Sequence, residues 1–476
     1  MSKYFPTIGL EIHAELKTKS KMFCGCTNIS STIEDEASYK PNFYICPVCM
    51  AHPGTLPVAN KQAIEHMIKI GLAIDGTIAD FSEFDRKNYF YPDIPKAYQI
   101  SQYKYPIVSG GKLAGVDITR VHLEEDTATS THSKDGSLVD FNRAGVPLME
   151  LVTEPVIKDT EEILHFAREL QLLLRYLGVS DANMELGQMR VEVNVSVSPS
   201  ETDMAKNYVE VKNINSFQAA KRAAEYEIKR QSALWDEGKQ DEIVKETRGW
   251  DESKQKTFSQ RSKENAEDYR YFPDPDLPKM YLHKAFDIEQ IRAILPELPE
   301  ARRARYRGDY GIKDEDIESY IFDMELAKWF EGVASALADK SKIQTASNFI
   351  TSDYLGLAKA NSAVQLPEGK HFVELVEMFT AGEISSRVAK DILARIVLAD
   401  ESPRAIAIRE DLIQKNDEGA LKEIAQKIID ANPKVVETYK GGKENALMSL
   451  VGKIMQETKG SANPALAQKI LKELIK

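Results

Sequence analysis

The sequence predicts an α+β fold: a large, mainly antiparallel sheet followed by all-α domains. Three observations carry that expectation. Over about the first 295 residues, short segments of alternating polarity recur between Gly, Pro, Asn and Asp turn signals, with a few helical stretches among them. Pro296 and Pro299, in Leu295-Pro296-Glu297-Leu298-Pro299, then break the pattern. Beyond them apolar residues recur at helical spacing with few strand runs. At 476 residues the chain exceeds what one hydrophobic core supports. It divides into a sheet domain over 1–295, a helical domain over 296–405 and a tail domain over 406–476.

The first strand is predicted over 9–17, where Leu10, Ile12, Ala14 and Leu16 take one face and Glu11, His13, Glu15 and Lys17 the other. Two carboxylates and an imidazole in one row are rich in cation ligands. Glu15 and Lys17, farther along, read as solvated. All four cysteines follow within the insertion 24–49, as Cys24-x-Cys26 and Cys46-x-x-Cys49. Two close pairs at this separation favour tetrahedral thiolate ligation of a structural Zn²⁺ over disulfides or loose thiols. Ser109-Gly110-Gly111-Lys112 is too short for a phosphate-binding loop and reads as a hairpin turn.

Further strands are expected at 120–126, which carries the carboxylate cluster Glu124, Glu125 and Asp126, and at 146–152, which sets Glu150 alone in an apolar run. A carboxylate buried among Leu148, Met149, Leu151 and Val152 is costly unless paired or cation-bound. A helix over 160–177 precedes strands at 189–197 and 208–213; these present Arg190, Glu192, Asn194 and Ser196, then Glu210 and Lys212, to one side. A second helix is expected over 216–235, and the charged segment 238–268 reads as a solvated hairpin or loop. Helices are predicted at 317–337, 341–360, 369–379, 385–396 and 420–431, with a break at Glu401-Ser402-Pro403. The last stretch, 440–476, holds seven lysines against three glutamates, reversing the sign of the whole-chain charge of −12.

With 42% hydrophobic and 29% charged residues, no long apolar run and no basic-then-apolar leader, the expectation is a cytoplasmic globular protein with no membrane partner. Its acidity argues against generic polyanion binding, DNA included, but leaves room for a local RNA surface. There is no Gly-x-x-x-x-Gly-Lys-[Ser/Thr] loop and no Gly-x-Gly-x-x-Gly opening a helix, so a nucleotide would lie on the sheet face. Carboxylates with one histidine suit Mg²⁺, and Mg²⁺ brings phosphates that Arg190, Lys212 and Lys87 could neutralise. That combination describes a phosphoryl-transfer site. With the cysteines claimed by metal, no thiol remains for glutaminase chemistry.

Several long, irregular motifs then carry a resemblance. Ile8-Gly9-Leu10-Glu11-Ile12-His13, the run from Phe84 to Asp93, Lys96-Ala97-Tyr98-Gln99-Ile100-Ser101-Gln102, His122-Leu123-Glu124-Glu125-Asp126, Asp268-Tyr269-Arg270-Tyr271-Phe272-Pro273 and Lys459-Gly460-Ser461-Ala462-Asn463-Pro464 closely resemble the GatB family, the B subunits of aspartyl/glutamyl-tRNA amidotransferase. The likeness spans essentially the whole chain. It implies a cradle related to glutamine synthetase, a helical domain and a YqeY-like tail that touches tRNA. It also implies a heterotrimer with the amidase GatA and the small subunit GatC. Such a complex is a ligase that uses ATP and Mg²⁺ to activate Glu on tRNA(Gln) or Asp on tRNA(Asn), then forms the amide with ammonia drawn from glutamine. The metal site it implies is Glu11, His13, Glu125 and Glu150, with Glu124 a possible substitute for Glu125. Arg190, Glu192, Glu210, Lys212 and Lys87 remain candidates for nucleotide or acyl phosphate on facing and charge alone. A different class of function, a non-catalytic tRNA adaptor, would use only the zinc knuckle and the lysine tail.

Overall fold

The computed structural model describes residues 3–29, 39–201, 207–262, 266–414, 418–458 and 462–475. Contacts divide the chain into two units, Met1–Pro299 and Glu300–Lys476.

The first unit is built on a ten-stranded sheet. Its strands are β1 (Phe5–Glu15), β2 (Thr77–Ile78), β3 (Val108–Ser109), β4 (Lys112–Leu113), β5 (Val116–Glu125), β6 (Pro147–Thr153), β7 (Met189–Ser198), β8 (Val209–Lys212), β9 (Glu246–Asp251) and β10 (Lys256–Ser262). Across the sheet the order is β10-β9-β8-β7-β1-β6-β5-β3-β2, with β4 on β5. Every pairing is antiparallel except β8 with β9, so the sheet is mixed as a whole and mainly antiparallel, as the alternation predicts.

Alternation places Leu10, Ile12 and Ala14 of β1, Val191, Val193 and Val195 of β7, and Met149 and Leu151 of β6 on one fully covered face. Three helices close over it: α1 (Lys61–Ala73), α2 (Thr160–Tyr176) and α3 (Phe217–Asp236). Each starts where a side-chain oxygen satisfies free N–H groups: Asn60 caps α1, Asp159 caps α2 and Ser216 caps α3. The opposite face is the polar one. A small three-stranded sheet, Phe272–Pro273 with Asp85–Asn88 and Tyr98–Ser101, stands beside the polar end of β5.

Two expectations for this unit need correction. The segment 238–268, expected as a solvated hairpin or loop, is a hairpin but not a wholly solvated one: β9 and β10 extend the sheet, and although most of β10 is exposed, Trp250 of β9 is buried against Tyr226 of α3. Ser109-Gly110-Gly111-Lys112 is not the turn of a hairpin but an interruption within one arm, since β3 and β4 both pair with β5. The turn is Ala114-Gly115, both at positive φ. Gly111, at φ +111, lies so close to Ile74 that a Cβ would sit 2.8 Å from its carbonyl oxygen.

The second unit is helical. The expected helix at 317–337 is two, Asp314–Phe322 and Met324–Leu337, because Asp323 accepts the Leu326 N–H and starts a new helix. Helix Lys340–Asn348 runs through a π turn, Phe349–Tyr354, into Leu355–Ala360. Helices Gly369–Thr380, Ser386–Ala399 and Pro403–Arg409 follow. The last four, Glu418–Ala431, Pro433–Lys440, Asn445–Glu457 and Pro464–Leu474, share a core of their own around Leu421, Leu450, Ile454 and Leu471. Of the motif at 459–464, Lys459, Gly460 and Ser461 lie outside the described residues. Among the described residues no helix is long and apolar enough to cross a membrane.

Candidate active site and metal centres

Register assembles the site. His13 of β1 lies directly between Glu150 of β6 and Arg190 of β7, and Glu150 in turn faces His122 of β5. One residue pair along, Glu11 faces Glu192, and Glu192 neighbours Lys212 through the β7–β8 register. Residues from distant segments thus form a continuous ionic row on the polar face.

Glu150 is the centre of that row. Its carboxylate lies 3.3 Å from Nε2 of both His13 and His122 and 3.7 Å from Arg120. It is buried, but not by Met149 and Leu151, which point into the opposite core. The flanking strands bury it. Glu124 completes the cluster at 3.6 Å from His13, with Ser101 Oγ donating to its carboxylate. Glu125 does not join it. Pleating turns Glu125 to the other side of β5, where Lys96 pairs with its carboxylate at 2.7 Å and the Ile100 N–H donates to it. Of the two adjacent acids, the structure brings Glu124 and not Glu125 to His13 and Glu150.

Burial opposes ionisation of Glu150, yet His122 and His13 hold its carboxyl well below the usual range. Burial works against the His13 imidazolium, but Glu150, Glu124 and Glu192 outweigh it and raise His13 to about 9. Burial, then Glu150 and Glu192, push Glu11 up to about 7. His13 and Lys212 pull Glu11 the other way without offsetting burial and the two neighbouring acids. Nδ1 of both His13 and His122 is buried without a hydrogen-bond partner. Three overlapping sets could hold metal: Glu11, His13 and Glu150; His122, Glu124 and Glu150; and Glu11, Glu192 and Glu210.

Glu11, His122, Glu150 and Glu210 line a cleft of about 410 Å³, and His13 and Glu124 adjoin it through their contacts with Glu150 and His122. Lys87, Arg120, Lys212 and Lys245 line it, with Tyr269 and Tyr271 along one wall. Lys87 is half-buried there, and the charges of Glu124 and Glu150 overcome its desolvation to raise its pKa well above normal. Lys212 is held by Glu192 at 2.8 Å and Glu210 at 3.8 Å, and Thr247 also donates to Glu210. Arg190 is elsewhere. It turns to Asp126 at 3.3 Å, which Arg143 also binds, and does not line the cleft. Arg143 further pairs with Glu15 at 2.8 Å, so Glu15 is buried rather than solvated, while Lys17 meets Asp181 near the surface. His122 is absent from the site residues expected on sequence. The signal for it is the i, i+2, i+4 run of Arg120, His122 and Glu124 on one face of a strand.

A second centre lies in the same unit. The four cysteine sulfurs are within 4.8 Å of one another and none forms a disulfide. The Cys24 thiol donates toward Cys49 and, against burial but helped by Lys21, drives Cys49 down to about 5. Lys21 is fully buried, its ammonium 3.9 Å from Cys49 Sγ and 3.2 Å from the Phe141 carbonyl oxygen. The cluster can hold a metal ion.

Comparison with known proteins bears on this arrangement. A family model described as the GatB/GatE catalytic domain matches residues 6–287, and one described as the GatB domain matches residues 328–475. Relatives named as B subunits of aspartyl/glutamyl-tRNA(Asn/Gln) amidotransferase align along their whole length. The one from Brevibacillus brevis is 41% identical over 490 residues, covering 100% of this chain and 99% of its own. The one from Persephonella marina is 41% identical over 488 residues, covering 100% of both. The one from Moorella thermoacetica is 43% identical over 487 residues, covering 99% of both.

Proposed function

Because this chain belongs to the GatB family of aspartyl/glutamyl-tRNA(Asn/Gln) amidotransferase B subunits, we propose that it activates the side-chain carboxylate of Glu on tRNA(Gln), of Asp on tRNA(Asn), or of both, with ATP. Ammonia released from glutamine by an amidase partner of the GatA type then converts the acyl phosphate to the amide. The working assembly in this reading is a cytoplasmic heterotrimer with GatA- and GatC-type subunits. The cradle is 1–295, the helical domain 296–405 and the tRNA-contacting tail 406–476.

One observation supports this above others. Two histidines and several carboxylates converge from three adjacent strands at a cleft whose walls supply lysines and an arginine. In the first step a carboxylate oxygen bonds to the γ-phosphorus as the bond to the β-bridging oxygen breaks and ADP leaves. In the second, the nitrogen of ammonia attacks the acyl carbon, phosphate departs with the C–O bond, and the nitrogen loses a proton. Glu11, His13, Glu124 and Glu150, joined by His122, are the residues to hold Mg²⁺. When bound, Mg²⁺ neutralises the oxygens of the transferring phosphoryl group. Lys87, Arg120 and Lys212 orient and balance phosphate oxygens from the walls. Arg190 has no part in this, being engaged with Asp126.

The four cysteines suit Zn²⁺. A tetrahedron with Zn–S bonds of about 2.3 Å has edges of about 3.8 Å, and Cys46 and Cys49 sulfurs stand 3.9 Å apart. The buried ammonium of Lys21 balances part of the thiolate charge. Four protein ligands leave no open position, so this zinc shapes the cradle and takes no part in the reaction.

The test is an amidation assay with the assembled subunits, misacylated tRNA, glutamine and ATP·Mg²⁺. Glu150→Gln is expected to lower ATP-dependent amide formation by about 100-fold or more while tRNA still binds. Undiminished turnover overturns the site. A non-catalytic adaptor would have no use for an ionic row buried across three strands.

A further inference from the structure

A second cavity of about 380 Å³ opens beside the cleft. The two share Tyr103 and Tyr271, whose rings stack with centroids 4.4 Å apart and planes 8° from parallel. Phe81 and Tyr105, edge to face at 5.1 Å, form another wall, and Phe272 is 43% exposed at its border. So much accessible aromatic surface in a polar cradle offers flat faces to another flat group. Tyr103 is half-exposed, yet fixed by its N–H donating to buried Asp85.

Two polar features narrow the ligand. Glu83 lines the cavity at 7% exposure, and its Oε2 has no hydrogen-bond partner; the nearest cation, Lys279, is 3.8 Å away. A buried acceptor left open calls for a ligand donor, such as an exocyclic amine or a ribose hydroxyl. Lys104 and Lys279 stand exposed at the cavity, placed for single phosphodiester charges. A triphosphate beside the Glu83 carboxylate would be repelled, whereas a nucleoside with donors and one charge per link is not.

Resting on the functional reading above, we infer that this cavity holds an unpaired nucleotide at the 3′ end of the substrate tRNA. Its base stacks against the Tyr103–Tyr271 pair, a ring system shared by both cavities, so the esterified amino acid can extend into the acidic cleft. Base–aromatic stacking tolerates any base, which suits an end common to different tRNAs.

The experiment compares intact deacylated tRNA with tRNA trimmed of its three unpaired 3′ nucleotides, binding both to the assembled complex. The parent complex is expected to prefer intact tRNA by about tenfold. Tyr103→Ala and Phe272→Ala each remove most of that preference, and Tyr103→Phe retains it. The KM for misacylated tRNA rises correspondingly in the alanine variants while the KM for ATP does not. Alanine variants that keep the full preference, or that raise the KM for ATP instead, overturn the inference and leave the amidotransferase reading intact. A parent complex that amidates no misacylated tRNA overturns the reading, and the inference with it.

Discussion

Glu124 and Glu125 show how much one residue of register decides. The two are adjacent in sequence and chemically alike, yet pleating sends them to opposite faces of β5. Glu124→Gln is therefore expected to weaken Mn²⁺ or Mg²⁺ binding by about tenfold to 100-fold. Glu125→Gln should leave metal binding near normal and instead cost stability, about 3 kcal/mol, by stranding Lys96. Isothermal titration with metal, alongside urea unfolding of both variants, checks the pair; metal loss in Glu125→Gln alone would reverse the assignment. The run of Arg120, His122 and Glu124 places His122 on a polar strand face, but nothing in the sequence shows that Glu150 lies across from it. Glu150 stands out in sequence as a buried acid, but for the wrong neighbours: the residues beside it in sequence face away, and those that enclose it come from β1 and β5.

Among elements, the β9–β10 hairpin departs most from its sequence. Its charges suggest solvation, and those of the turn and the start of β10 are exposed, but Arg248 of β9 is tied inward, reaching Glu246 at 2.8 Å and Glu227 of α3 at 3.3 Å. Trp250, nearly buried, pins the hairpin to the helix. Trp250→Ala is expected to cost about 3–5 kcal/mol in denaturant unfolding; a loss below about 1 kcal/mol would mean that the hairpin is peripheral. Glu246 adds a pH signature. Burial opposes its ionisation, but hydrogen bonds from Ser259 and Arg248 hold its pKa below the ordinary 4.5. A carboxylate depressed in the folded state stabilises above its unfolded pKa, and that contribution is lost as pH falls through the folded value. The melting-temperature gap between parent and Glu246→Gln should thus be open at pH 7 and close below about pH 4. A gap independent of pH would contradict the pairing. Helix α1 leaves little trace in the sequence, its signal being one asparagine cap before a short apolar run.

For the whole molecule, two further outcomes belong to its separate modules. The protein purified without chelator should carry one tightly held zinc per chain, and stripping it should lower the melting temperature while leaving Mg²⁺ binding at the acidic row. Finding no zinc would refute the thiolate centre. In the second unit Lys469 and Lys472 are exposed on the last helix. Replacing both by Gln should reduce the slope of log affinity for tRNA against log salt by about 1 to 2, and an unchanged slope would remove that helix from the tRNA surface. By itself the sequence determined the α+β class, the change to helix after Pro299, the two cysteine pairs, and Glu11, His13 and Glu150 as separate ligand candidates, which only the family resemblance grouped, together with Glu125, into one site. Alternation, periodicity and ligand spacing are local properties, readable along a few residues. Only the tertiary structure decided which strands lie side by side, and so that His122 and Glu124 stand with Glu150, that Arg190 turns to Asp126, and that Glu83 and the tyrosines enclose a second cavity. Those facts depend on register between segments far apart in the chain, where a shift of one residue would present the opposite face.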